Sequence, residues 1–129
     1  MQPIRYGLLS TSSIAPRFVA AVRAAGGGEV VALSSRSLEK AQAKAAEWNI
    51  PTAYGSHDQL LGDPNVDVIY LSTVNGQHYQ WAKAALLAGK HVLCEKPCTT
   101  SSKQTRELFA LARQRGLFLM EAQKMLFLP

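Results

Sequence analysis

"YGLLSTSSIAPRF", residues 6–18, passes from an apolar run through small hydroxyl residues into helical periodicity. The run begins at Ile4, so Ile4–Leu9 predicts a short buried strand. Ile14, Phe18, Val22 and Ala25 recur at helical spacing, and Gly26-Gly27-Gly28 ends the pattern. Strand, tight loop and helix therefore follow one another within the first 25 residues.

The alternation continues along the chain. Glu29–Ser34 is rich in β-branched residues and predicts a second strand. A helix follows over Leu38–Asn49, with Ser37 as its N-cap and Glu39, Lys40, Lys44 and Glu47 toward water. Pro51 forces extended chain through Thr52-Ala53-Tyr54, and a short helical turn occupies His57–Leu61. Beyond the turn signal Asp63-Pro64-Asn65, the spacing predicts a strand over Val66–Ser72 and a helix over Gln77–Ala88 ended by Gly89. A further strand covers Lys90–Cys94, then a helix capped by Ser101 or Ser102 runs to Gly116, and Leu117–Glu121 closes the series.

Five or six apolar strands separated by helices imply parallel pairing, because parallel neighbours need a crossover. Runs without polar alternation fit strands covered on both faces. Right-handed crossovers then give an α/β fold with a doubly wound parallel sheet.

A length of 129 residues suits one domain, and 47% hydrophobic with 18% charged residues is ordinary for a globular chain. No apolar run is long enough to span a bilayer, and the N-terminus lacks a secretory leader's apolar core. Two cysteines, Cys94 and Cys98, do not make a disulfide framework, so the expected compartment is the cytoplasm. The net charge is +5, yet basic residues are scattered from Arg5 to Lys124 without a cluster. Nucleic acid is therefore not the expected partner, and a small phosphate-bearing ligand fits better. His57, His78 and His91 are not spaced to join the cysteines in a metal site.

Such sheets bind ligands at the carboxyl ends of their strands, where strand order reverses. The loop after the first strand sits there, and the next helix offers free amides to a pyrophosphate. In the usual G-x-G-x-x-G/A loop the glycines permit a tight turn and close phosphate approach. Ser10, Ser12 and Ala15 stand at those three positions. The serines add Cβ atoms where phosphate approaches, while their hydroxyls offer donors in exchange. The same residues also read as a plain Ser/Thr-rich helix cap with no ligand. About 20 residues on, an acid would hold the ribose hydroxyls of NAD. Ser34-Ser35-Arg36-Ser37 stands there instead, with no acid before Glu39. A guanidinium among hydroxyls suits a 2′-phosphate and hence NADP; the other reading of Arg36 is a solvated loop charge.

"GKHVLCEKP" at 89–97, with "IRYGLLSTSSIA" at 4–15, "SSRSLEKAQAKA" at 34–45 and "MEAQKMLFLP" at 120–129, resembles the glucose-fructose oxidoreductase/inositol dehydrogenase/MocA family. The likeness is to its NAD(P)-binding Rossmann half, in particular the dihydrodiol-dehydrogenase-like branch, and covers essentially the whole chain. It implies an NAD(P)-dependent oxidoreductase acting on sugars, cyclitols or related alcohols and ketones. By that resemblance Lys96 lies near nicotinamide and substrate and handles the proton on the reacting oxygen, a role suited to an ammonium facing alkoxide charge. Glu95 supports it, and Pro97 follows a cis peptide that aims it into the cleft. Ser10, Thr11, Ser12, Ser13 and Ile14 form the phosphate loop, and Ser35 and Arg36 meet the adenosine ribose. "STVNGQHYQWA" at 72–82 resembles the family's loop after its fourth strand. There Thr73, Asn75 and His78 border the cofactor, although Val74 stands where the family often has proline. His78 reads equally as an exposed first-turn histidine. Gln123 and Lys124 also depart from the family's usual residues.

Members carry a second α/β domain that shapes the substrate pocket and through which they often form homo-oligomers. It has no counterpart in these 129 residues, and with the apolar end Met125–Pro129 the expectation is a chain cut short. The expectation is the cofactor-binding half of an enzyme, binding-only by itself, with the intact protein acting on a small alcohol or ketone. The rival readings are a non-catalytic dinucleotide-sensing or interaction module and, from charge alone, a nucleic-acid-binding domain. Cys94, Trp48, Trp81 and His91 are read as structural groups, and Met120 and Met125 as core or lost-interface residues.

Overall fold

In the computed structural model, which describes residues 3–12, 15–72, 77–95 and 102–122, the opening run is a central strand, β1 (Ile4–Leu9). It is followed by α1 (Ala15–Ala25), β2 (Gly28–Ser34), α2 (Leu38–Trp48), β3 (Thr52–Tyr54) and α3 (His57–Leu61). The second half comprises β4 (Val68–Leu71), α4 (His78–Leu87), β5 (His91–Glu95), α5 (Ser102–Gln114) and β6 (Leu119–Ala122). All strands are parallel in one six-stranded sheet of order β3-β2-β1-β4-β5-β6. The doubly wound sheet expected from the sequence is thus present, and the order reverses between β1 and β4.

Successive strand residues serve opposite layers. Leu8, Leu33, Tyr70 and Leu93 join Phe18, Val22, Ala41 and Trp48 under α1 and α2. Leu9, Ala32, Ile69, Leu71 and Val92 join Leu60, Leu86 and Leu108 under α3, α4 and α5. Two covered faces explain why the strands lack polar alternation. Across the first layer, the Phe18 ring stacks on Tyr70 at 3.8 Å and meets Tyr6 edge-on at 5.3 Å.

Element ends follow local chemistry. Ser37 caps α2 by accepting from the Lys40 amide at 3.3 Å, as its sequence position predicts. Asn49 is not the last helical residue: it turns left-handed at φ 56, and the Arg23 guanidinium donates to the Trp48 and Asn49 carbonyls. β4 is shorter than the apolar run because Val66 closes a turn, its amide donating to the Asp63 carbonyl. Lys90 likewise precedes its strand. Its buried ammonium donates to the Asp63 and Val66 carbonyls at 2.6 and 2.7 Å. Where β1 and β4 begin, Arg5 grips Asp67 through Nε and Nη2, at 3.2 and 3.1 Å. No helix among the described residues is long and apolar enough to cross a membrane.

Candidate functional site

The carboxyl ends of β1, β2 and β4 open onto a cleft of about 450 Å³. Its described lining consists of Ser10, Thr11 and Ser12 after β1, Ser35, Arg36 and Ser37 after β2, Lys40 of α2, His57, Ser72 after β4, and Gln77. Five serines, two permanent cations and no carboxylate stand in that lining. The cleft coincides with the reversal of strand order, where an open α/β sheet accepts ligands.

Ser10 occupies the first glycine position of the expected loop, and its backbone has φ 101. That left-handed conformation is the one glycine adopts freely and a Cβ resists. The chain therefore makes the tight turn without glycine, its geometry fixed in part by the Ser10 amide donating to the Ser34 carbonyl at 3.1 Å. Further along the loop, the Ala15 amide donates to the Ser12 carbonyl at 3.1 Å as α1 begins.

Two hydroxyls in this cleft are orphaned. Among the described residues, Ser12 Oγ and Ser72 Oγ are buried with no hydrogen-bond partner, and Ser72 as a residue is only 7% exposed. A buried hydroxyl without a partner costs free energy until something polar reaches it. Both belong to one cavity, one on each side of the strand-order reversal, so a polar ligand seated there would satisfy both.

At the β2 end Ser35 is buried, and its amide donates to the Tyr54 carbonyl at 3.1 Å. Arg36 and Lys40 are exposed at the cleft, and neither side chain makes an ion pair among the described residues. Lys40, expected simply to face water, is thus a second cation beside Arg36. His57 closes the wall beneath them. It is 7% exposed, its Nδ1 lies 2.7 Å from Ser34 Oγ, and its ring meets Trp81 edge-on at 4.9 Å. Burial, and then the Arg36 charge, hold its imidazole below the ordinary histidine pKa.

Of the residues expected at the site, Ser10, Thr11, Ser12, Ser35 and Arg36 are brought together. His78 is not an exposed first-turn residue: it is 1% exposed at the start of α4, and the neighbouring Gln77 lines the cleft. Glu95 is the last residue of β5. Ser13, Ile14, Thr73, Asn75, Lys96 and Pro97 lie outside the described residues, as do Gln123, Lys124 and Met125. Lys40, His57, Ser72 and Gln77 line the cleft without having been expected there. Lys40 stands one helical turn beyond Arg36, Ser72 and Gln77 fall within the stretch 72–82, and His57 has no local signal.

Residues read as structural behave so. His91 opens β5 and stacks on Phe118 at 4.4 Å, and Trp48, the last residue of α2, is buried. Cys94 is fully buried, as its reading as a structural strand residue expects, and its sulfur is disulfide-bonded. Among the described residues no three His, Cys, Asp or Glu side chains gather as a metal site.

The family model describing an oxidoreductase family with an NAD-binding Rossmann fold, GFO_IDH_MocA, matches residues 4–123. The chain belongs to this family. It is 42% identical over 128 residues to mouse trans-1,2-dihydrobenzene-1,2-diol dehydrogenase, covering 98% of this chain and 38% of that protein. D-xylose 1-dehydrogenase (NADP(+)) 2 of Haloferax volcanii is 41% identical, with 96% and 38% covered. Among solved structures, a 3-ketoreductase of Actinomadura kijaniata in complex with NADP superposes with TM-score 0.87 at 40% identity, covering 93% of this chain and 38% of that one. An NAD binding oxidoreductase from Klebsiella pneumoniae gives TM-score 0.89 at 32% identity, with 94% and 34% covered. The chain spans about 38% of the length of the curated relatives it matches.

Proposed function

We propose that this chain is the nucleotide-binding part of an NADP-preferring oxidoreductase whose substrate is a sugar, cyclitol or related alcohol or ketone. The cleft at the β1/β4 reversal carries this reading, since its described lining holds Arg36 and Lys40 and no acid. A carboxylate at the end of β2 would favour free ribose hydroxyls, whereas two uncommitted cations favour a 2′-phosphate. The residues present fit the dinucleotide. Ser12 and Ser72 offer unsatisfied donors at the switch point, where the diphosphate of a bound dinucleotide would lie.

When bound, the nicotinamide supplies or accepts a hydride. Lys96, carried over from the family likeness, neutralises charge on the substrate oxygen and passes its proton. Relatives named as dehydrogenases of a dihydrodiol and of xylose support the substrate class. The 129-residue chain alone binds cofactor and turns over little.

Calorimetric titration with NADP and NAD tests the reading. NADP binds more tightly, and Arg36→Ala weakens NADP by about tenfold, as expected for one lost charge-assisted contact, while leaving NAD nearly unchanged. Equal loss for both cofactors would remove the preference, and no binding of either would remove the function.

A further inference from the structure

We propose that His57 is a third member of the anion subsite formed by Arg36 and Lys40, and that a doubly ionised ribose phosphomonoester seated there binds together with one proton taken up by the imidazole. This inference rests on the dinucleotide reading of the cleft and adds a residue and a proton to it.

Placement carries the argument. His57, Arg36 and Lys40 line one cleft together with Ser35 and Ser37. The two cations have no ion-pair partner among the described residues, so the subsite has positive charge to offer. The imidazole is held in place from two sides, by Ser34 Oγ at 2.7 Å and by the Trp81 ring. Protonation would not cost the Ser34 contact. A hydroxyl both donates and accepts, so Ser34 can donate to neutral Nδ1 and accept from it once that nitrogen is protonated.

The charges around the ring decide its resting state. Arg36, from the β2–α2 loop, disfavours a cationic imidazole, and Asp58, the next residue of α3, favours one. Lys40 adds a positive charge from α2. Nearby Tyr54 of β3 and Asp63 beyond α3 are committed to each other at 2.8 Å. Ser34 of β2 and Trp81 of α4 carry no charge. Burial and Arg36 outweigh Asp58, so the ring rests neutral at physiological pH. A phosphate dianion between Arg36 and Lys40 would reverse that balance: it offsets their field and supplies an acceptor for a second imidazole N–H.

Titration calorimetry of the 129-residue chain at pH 7.5, in HEPES and in Tris, counts the protons. The buffers differ in ionisation enthalpy, and at this pH a phosphomonoester is already mostly dianionic. The expected result is uptake approaching one proton per NADP and none per NAD. NADP affinity then falls as pH rises from 6.5 to 8.5, while NAD affinity stays flat. His57→Asn abolishes the uptake and weakens NADP by about five- to tenfold, with NAD within about twofold. Should that variant fail to fold, the NADP-against-NAD proton count of the unaltered chain decides alone. Binding of NADP with no more uptake than NAD, or unchanged uptake in His57→Asn, overturns the inference and leaves the cofactor reading intact. Absence of heat with either cofactor overturns both.

Discussion

The Ser10 amide donates to the Ser34 carbonyl at 3.1 Å, which ties a left-handed residue after β1 to the last residue of β2. The hydrogen bond helps hold Ser10 at φ 101, a conformation that costs a residue with a Cβ about 1–3 kcal/mol. Ser10→Gly removes that strain and concedes part of the gain to the looser unfolded chain. Urea unfolding should therefore show a stabilisation of about 1 kcal/mol, with dinucleotide affinity unchanged or tighter. Lower stability would mean that the Ser10 side chain contributes more than its backbone costs.

Ser72 Oγ is buried at the end of β4 without a partner among the described residues. Deleting it should move two observables in opposite directions. Ser72→Ala leaves the ligand-free chain as stable or up to about 1 kcal/mol more stable, because an unsatisfied polar atom is gone. It also weakens dinucleotide binding by about five- to tenfold, the worth of one lost hydrogen bond. Thermal melts with and without saturating NADP read both effects, and unaltered affinity would exclude this hydroxyl as a ligand contact.

Hydrogen bonding from the Arg5 side chain, together with its charge and the Arg5 amide, holds the Asp67 carboxyl below the usual value of 3.8. A depressed carboxylate stabilises the fold above its unfolded pKa and loses that contribution as pH falls through the folded one. The melting temperature of the native chain should exceed that of Asp67→Asn at pH 7, and the gap should close below about pH 4. Both groups are partly exposed, so added salt should also narrow it. A gap that does not narrow at all as the pH falls from about 5 to 3 would assign the effect to packing.

Lys90 satisfies two carbonyls of the turn before β4 from a buried position. Lys90→Met keeps the apolar stem and removes the donor, so it should cost about 1–3 kcal/mol in urea unfolding. The lesion lies at the opposite end of the sheet from the cleft, so NADP affinity in the folded chain should not change.

Much of this architecture is written in short-range patterns. The β1–α1 turn, the Ser37 cap and the His57–Leu61 helix each follow from a few neighbouring residues, and they stand where the sequence places them. Boundaries slipped where a distant partner intervened. Val66 and Lys90 belong by composition to strands, yet they meet each other in a turn contact that no local window contains. The same holds for the site. Arg36 was legible because it stands just beyond β2 in the phosphate-binding pattern. His57 was not, because its role depends on Ser34, which lies 23 positions away. His78 reads equally as a cofactor-loop group and as an exposed first-turn residue, and its 1% exposure removes only the second reading.

The strand order has a consequence for how the chain is made. Tyr6 to Leu9 pair with Val68 to Leu71, so during synthesis β1 lacks one flank until residues 68–71 have been made. At about 5–20 residues per second, the nascent segment spends several seconds with a hydrophobic strand half-paired. Translation speed across residues 10–70 and chaperone capture of that segment therefore bear directly on the yield of native protein.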